Sequence, residues 1–166
     1  MLVSCDGQEY GCGGGAPDRA LTWIGANGGL TTRAQYPYTS GANGDSGSCK
    51  PGYTLNPNSA PTGYKVVTRK SDTALMAAIK INPVILLVDS SIFQFYSSGV
   101  INSASCGLIL DHVIVAVGYG VLDGVPYIKA RNTWGANWGM DGYVLIGSDP
   151  TQNYCGILSY SFYPLL

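Results

Sequence analysis

His112 is the only histidine in the chain. Alone, one imidazole on a strand says little; its neighbours say more. Asp111-His112-Val113-Ile114-Val115-Ala116-Val117 opens a largely apolar strand, Asp123-Gly124 marks a turn, and Val125 to Asn132 returns. If Gly120 and Gly124 face each other across that turn, His112 stands opposite Asn132 on one face, with Cβ atoms ~5 Å apart. A two-residue turn centred on Asp123-Gly124 shifts the register and separates them. In the first register the Asn132 amide accepts the ring N–H, fixing tautomer and ring direction. The other ring nitrogen is then free to exchange a proton with a nucleophile, as in a catalytic triad. The competing reading is a core His–Asn hydrogen bond that satisfies two buried polar groups. Asn132-Thr133-Trp134-Gly135, with Trp138-Gly139 close behind, adds two rings flanked by glycine. Trp134 is spaced to screen a His–Asn bond from water and strengthen it; the alternative is ordinary aromatic packing at a sheet edge.

These groups need elements to hold them. Residues 1–16 are irregular and end in Gly11-Cys12-Gly13-Gly14-Gly15. Pro17 suits the first position of a helix with Ala20, Leu21, Trp23 and Ile24 on its apolar side, and Gly28-Gly29 stops it. Residues 31–64 read as a long loop, which needs a fastener. Ser71 or Asp72 caps a second helix, and Asn82-Pro83 ends it. Beyond Pro83, five segments read as strands separated by Gly, Asp and Asn turns: Val84–Val88, His112–Gly120, Val125–Asn132, Gly142–Ile146 and Tyr160–Tyr163. Helix and loop come first, antiparallel sheet second.

Composition narrows the function classes. The chain has 166 residues, 9 basic and 10 acidic, for a net charge of −1. So sparse and balanced a charge set offers no electrostatic footprint for nucleic acid or an anionic membrane. The longest apolar run, Val84–Val88, is far shorter than the ~20 residues that span a bilayer, and residues 1–30 do not read as a signal peptide. Five cysteines (Cys5, Cys12, Cys49, Cys106, Cys155) read as two disulfides and one left over. Their spacing does not select among the arrangements, and with one histidine they do not suggest a zinc site. No metal or cofactor is expected.

Taken in order, the motifs resemble the papain-like cysteine proteases, and the cathepsin L-like branch in particular. Leu2-Val3-Ser4-Cys5-Asp6, Gly11-Cys12-Gly13-Gly14-Gly15 and Tyr36-Pro37-Tyr38 are similar to the family's N-terminal segments. Asp111-His112 with Val115–Gly120 resembles its catalytic-His strand. Asn132-Thr133-Trp134-Gly135 with Trp138-Gly139 and Gly142-Tyr143 resembles its catalytic-Asn segment, and Ser161-Phe162-Tyr163-Pro164 its C-terminus. Thr133 stands where the family usually has Ser.

The resemblance implies an α+β, papain-like two-subdomain fold. Residues 1–70 would be the remnant of a truncated helical subdomain with its loops, and residues 71–166 a twisted antiparallel sheet or barrel subdomain. It implies His112 as general base and acid, Asn132 as its orienter and Trp134 as their cover. Gly14 and Gly15 would run along the substrate, where a missing Cβ admits a peptide backbone. Ala16, Pro17, Leu87, Leu110 and Tyr160 would line the pocket for the second residue before the scissile bond, with Asp111 beside them. That wall is apolar, so bulky hydrophobic side chains are expected there. The resemblance also implies disulfides Cys5–Cys49 and Cys106–Cys155, with Cys12 unpaired because its family partner lies upstream of the nucleophile.

One part is missing. The family nucleophile lies ~130–150 residues before the histidine, which from His112 falls ahead of Met1. Neither a Cys-Gly-Ser-Cys-Trp motif nor the oxyanion-hole Gln is present. The expectation is therefore the C-terminal portion of a cysteine endopeptidase, inactive by itself. Its partners would be peptide or protein substrates, a propeptide or protein inhibitor, and the remainder of its own protease chain. The resemblance, with the disulfides, implies a lysosome-like acidic vesicle or secretion. The alternative is a non-catalytic homologue serving as a binding or structural module.

Overall fold

The two longer helices begin where a residue suits a helix start. The computed structural model describes residues 1–166. It divides into two units, Met1–Lys65 with Pro164–Leu166, and Val66–Tyr163.

The first unit carries α1 (Leu2–Cys5), α2 (Pro17–Ala26) and loops. Pro17 occupies the first turn of α2, where its missing N–H costs nothing, and Ile24 is its buried residue. Gly28 and Gly29, at φ +80° and +111°, turn the chain away. The long loop has two fasteners. Cys5 is bonded to Cys49. Ser46 accepts the Cys12 N–H at 2.8 Å and receives the Ser4 hydroxyl on its carbonyl at 2.6 Å.

The second unit holds the core. α3 (Asp72–Ile79) is capped by Ser71, whose hydroxyl accepts the Ala74 N–H at 3.1 Å, and it buries Leu75 and Ala78. Strands β1 (Gly63–Val66), β2 (Val84–Val88), β3 (Val100–Ile101), β4 (His112–Leu122), β5 (Val125–Arg131), β6 (Tyr143–Gly147) and β7 (Ser161–Leu165) form one sheet. Its order is β1-β7-β2-β4-β5-β6-β3. Val84, Leu86, Val88, Ile114, Ala116, Ile128, Ala130, Val144 and Ile146 are all buried, so alternate residues of four adjacent strands build one hydrophobic cluster.

Three features depart from the sequence reading. β1, β3 and α1 are additional elements, and β3 pairs with β6 in parallel. Both extra strands are short, and β3 follows a Ser-Ser-Gly turn that masks it. The β4–β5 register also differs. Leu122 pairs with Val125, so the turn is the two-residue Asp123-Gly124 type, with both residues at positive φ. Gly120 faces Tyr127 rather than Gly124.

Candidate functional site

The two-residue turn does not separate His112 from Asn132. A register shift between Ala116 and Gly118 intervenes, so that Ala116 faces Ala130 and Val115 faces Arg131. Extending this register puts Asn132 opposite Ile114, one step along the same face from His112. The pair is diagonal rather than directly opposed, within reach of two long polar side chains. His112 Nε2 lies 2.9 Å from Asn132 Oδ1.

The hydrogen bonds fix the proton. The Thr133 N–H donates to the same Oδ1 at 2.8 Å, so this end of the amide must be the oxygen. An acceptor there obliges His112 Nε2 to carry hydrogen and donate it. Nδ1 of the neutral ring is therefore the acceptor, holding the lone pair that can take a proton. Asn132 is 5% exposed, and its backbone N–H is bonded to the Gly142 carbonyl at 2.9 Å. A buried, anchored amide holds the ring without competition from water.

An aromatic cluster surrounds the pair. The Trp134 ring lies 5.3 Å from the His112 ring, inclined 34°. Phe93, fully buried, presents an edge contact to His112 at 6.3 Å. Trp138 donates its indole N–H to the Phe93 carbonyl at 2.9 Å and contacts Trp134 edge-on at 5.3 Å. Tyr96 packs on Trp138, donates to the Gly99 carbonyl at 2.8 Å and accepts the Leu145 N–H at 3.2 Å. Burial raises the Tyr96 pKa, so the phenol stays protonated and keeps donating. A Cβ at Gly139 would lie 3.0 Å from the Tyr96 ring and 2.7 Å from the Tyr143 carbonyl, so only glycine lets this cluster close.

Two carboxylates hold the segment that leads into His112: Asp111, expected beside the pocket, and Asp89, which the sequence reading missed as a site residue. Asp89 is 3% exposed; it accepts Ser91 O–H, the Ser91 N–H at 3.0 Å and the Ile109 N–H at 2.8 Å. The Ser91 hydroxyl is the main cause of its lowered pKa, helped by the two backbone donors. Asp111 accepts the Ser90 N–H and hydroxyl, both at 2.9 Å. The Asp-Ser-Ser run after an apolar strand was the available signal, because such residues bond their own backbone in turns. Phe93 and Tyr96 gave no comparable signal.

The remaining expected residues fall in both units. Gly14, Gly15, Ala16 and Pro17 belong to the first. Gly14 sits at φ +99° with open space where a Cβ would be. Gly15 is backed by the Glu9 carboxylate, which accepts the Ala16 N–H at 2.8 Å and pairs with Arg19. Leu87, Leu110, Asp111 and Tyr160 belong to the second. Leu87 pairs with Val113, and its N–H donates to the Tyr160 carbonyl at 3.2 Å. Leu110 packs on Gly156, where a Cβ would come within 2.6 Å. The Arg69 guanidinium lies over the Tyr160 ring at 5.4 Å, a charge that the reading of an apolar wall did not include.

Sulfur chemistry is accounted for. Cys106 is bonded to Cys155, Cys5 to Cys49, and Cys12 is an exposed free cysteine. The second unit therefore offers His112 no thiol.

Comparison with known proteins gives consistent matches. The model of the papain family of cysteine proteases matches residues 1–165. Chymopapain from Carica papaya is 40% identical over 167 residues, covering 98% of this chain and 46% of that protein. The senescence-specific cysteine protease SAG12 of Arabidopsis thaliana is 38% identical, covering 100% of this chain and 48% of that protein. The chain thus spans about half the length of the curated relatives it matches. Among solved structures, bromelain from Ananas comosus in complex with the E64 inhibitor has a TM-score of 0.85 at 34% identity, over 99% of this chain and 75% of that one. The proform of the ragweed pollen allergen Amb a 11 has a TM-score of 0.85 at 29% identity, over 99% of this chain and 50% of that one.

Proposed function

Because the chain belongs to the papain family of cysteine proteases, we propose that it supplies the base half of a Cys-His-Asn endopeptidase. The single observation that carries this is the Nε2–H···Oδ1 bond of 2.9 Å, with the Asn132 oxygen pinned by Thr133. That arrangement leaves Nδ1 to take a thiol proton. His112 would then hold a thiolate–imidazolium pair; after the thiolate attacks the peptide carbonyl to form a C–S bond, the imidazolium would return its proton to the amine that leaves as the C–N bond breaks. Trp134 covers the bond, and its ring face favours the imidazolium.

The nucleophile must be a thiol outside these residues. Four of the five cysteines are in disulfides and Cys12 is free and exposed; by the family resemblance Cys12 would be a disulfide position and not the nucleophile. The 166 residues alone are therefore expected to be inactive. Residues 1–70 would represent an incomplete helical subdomain and 71–166 the β subdomain. Gly14 and Gly15 would carry the substrate backbone. Ala16 and Pro17 of the first unit, and Leu87, Leu110 and Tyr160 of the second with Asp111 beside them, would each meet substrate side chains, with a preference for bulky hydrophobic ones. E64 binding by bromelain and the proform of Amb a 11 support an inhibitor or propeptide as a partner here. An acidic vesicle or the extracellular space suits the two disulfides.

The test is to read the coding sequence upstream of Met1 and express the whole product. A Gln and a Cys-Gly-Ser-Cys-Trp-like segment, with E-64-sensitive peptide hydrolysis, supports the endopeptidase. Ser or Gly at the nucleophile position, with peptide binding but no turnover, makes the protein a binding module instead. Turnover by the purified 166-residue chain alone would overturn the inactive reading.

A further inference from the structure

Within the second unit, Tyr160, Leu87 and Val113 stand side by side. Leu87 pairs with Val113, its N–H donates to the Tyr160 carbonyl at 3.2 Å, and the preceding Leu86 pairs with Ser161. Leu86 and Ser161 are buried, so alternation turns Leu87 and Tyr160 to the other face of the sheet, where both are half-buried. Val113 is half-buried beside Leu87, one residue from His112. With β2 between them and strands about 4.8 Å apart, the Tyr160 and Val113 backbones are separated by roughly 10 Å. An extended peptide advances about 3.3 Å per residue, so a side chain two residues from a bond held at His112 comes within reach of this row.

The row does not end at Tyr160. The Val67 N–H donates to the Ser161 carbonyl and the Lys70 N–H to the Leu158 carbonyl, both at 2.9 Å. These two bonds clamp residues 67–70 against residues 158–161 and set Arg69 beside Tyr160. The guanidinium lies over the Tyr160 ring, 5.4 Å from its centroid. Phe162, fully buried, supports the same ring at 5.4 Å, inclined 53°. Arg69 itself is exposed and has no carboxylate partner, since the single ion pair of the structure joins Arg19 to Glu9. Asp111 lies at the other end of the row, held by the Ser90 N–H and hydroxyl at 2.9 Å. An aromatic platform thus carries an unpaired cation at the end of the apolar row away from His112.

We propose that Arg69 is a specificity-determining residue: acting across Tyr160, it favours Glu at the second residue before the scissile bond and disfavours Lys or Arg there. The proposal rests on the reading in which Leu87 and Tyr160 meet substrate side chains, and adds the charge that those side chains encounter. Leu87, Val113 and the Tyr160 ring supply contact area for bulky hydrophobic groups and equally for the methylenes of Glu. A Glu carboxylate at the edge of the Tyr160 ring stands roughly 6–9 Å from the guanidinium, about one Debye length at physiological salt. Across a protein surface, with an effective dielectric below that of water, this separation corresponds to about a fivefold preference for Glu over its uncharged isostere Gln.

The experiment takes the whole expressed product and peptides that differ only at that position, carrying Leu, Gln, Glu or Lys. kcat/KM is compared for wild type, Arg69→Gln, Arg69→Glu and Arg69→Lys; if the product lacks a nucleophile, dissociation constants of the same peptides take the place of rates. The wild type should prefer Glu to Gln about fivefold, and high salt should shrink that ratio. Arg69→Gln should bring the ratio to near one, Arg69→Glu should reverse it in favour of Lys, and Arg69→Lys should retain most of it. The Leu peptide should stay within about twofold throughout, because an exposed side chain is being changed.

A Tyr160→Leu variant separates the two levels of the argument. If it alters the Leu and Glu peptides while Arg69→Gln keeps the wild-type Glu-to-Gln ratio, Tyr160 meets substrate and the role of Arg69 is overturned. A wild-type ratio of one or less overturns it as well. If neither position changes any peptide, Tyr160 is not a substrate contact, and the proposal falls with that reading. Should Tyr160→Leu not fold, the three Arg69 variants decide.

Discussion

Asn132 acts through one oxygen that has two donors. Thr133 N–H fixes which end of the amide faces the ring, and His112 Nε2–H takes the remaining lone pair. Replacing Asn132 with Ala removes the acceptor, and the imidazole is free to turn or change tautomer. In a full-length protein bearing the nucleophile, Asn132→Ala should lower kcat on the order of 10²-fold, the lower part of the range for general acid–base catalysis. KM should change little, because Asn132 is buried and offers substrate almost no surface. Steady-state kinetics would check this; a loss confined to KM would assign Asn132 to substrate binding instead. A Trp134→Ala comparison separates shielding from orientation, since it leaves both donors on Oδ1 intact.

At the scale of elements, the segment between β2 and β4 is where acid should act. Asp89 is buried yet charged, held by the Ser91 hydroxyl and by the N–H groups of Ser91 and Ile109. Its pKa in the folded state is lowered, so its contribution to stability is present above the ordinary carboxylate range. That contribution is lost as pH falls through the ordinary value toward the depressed one. At about pH 5, above the ordinary carboxylate range, the segment leading into His112 thus remains fastened. Asp89→Asn should lower stability at pH 7 and flatten the acid limb of the stability curve, seen as wild-type and variant melting temperatures drawing together as pH falls below the ordinary carboxylate value. Parallel curves across pH 2–7 would show that Asp89 is not the acid-sensitive group. This segment also shows where sequence reading reached its limit. Strands β2, β4, β5, β6 and β7 and helices α2 and α3 were legible, because alternation, Pro17, Ser71 and the glycine turns are local signals. The His112–Asn132 pair was legible as a pair of types, but not by its register. Local pattern places the two together only if Gly120 faces Gly124; the turn is the Asp123-Gly124 type instead, and the irregularity between Ala116 and Gly118, which has no chemical signature, keeps them on one face. Asp89 and Phe93 were missed because their roles depend on contacts with Ile109, His112 and Trp138, which are distant in sequence.

At the scale of the whole molecule, stability divides between two crosslinks of nearly equal span. Cys5–Cys49 closes 44 residues and Cys106–Cys155 closes 49. A chain-entropy account assigns each about 4 kcal/mol, so loop length does not distinguish them. Access does. Cys49 is exposed and Cys5 half-buried, whereas Cys106 is 4% and Cys155 0% exposed. Reduction requires a thiolate to reach one sulfur in line, which the first bridge permits and the second forbids until its surroundings open. Those surroundings are strong: the Cys155 carbonyl accepts the Asp89 N–H at 2.9 Å, and both sulfurs lie within the main hydrophobic cluster. Under increasing dithiothreitol at pH 8, with alkylation and mass analysis, Cys12 should label with no reductant. Cys5 and Cys49 should follow together, and Cys106 and Cys155 only at concentrations that also collapse the dispersed methyl signals of Leu75, Leu86 and Ile114. If Cys106 and Cys155 labelled first, or in step with Cys5 and Cys49 while those methyl signals persisted, burial would not be what protects the second bridge. The expected order leaves the bridge nearest the approach to His112 as the last to open, so the geometry around the base should survive mild reducing conditions that already release the long loop.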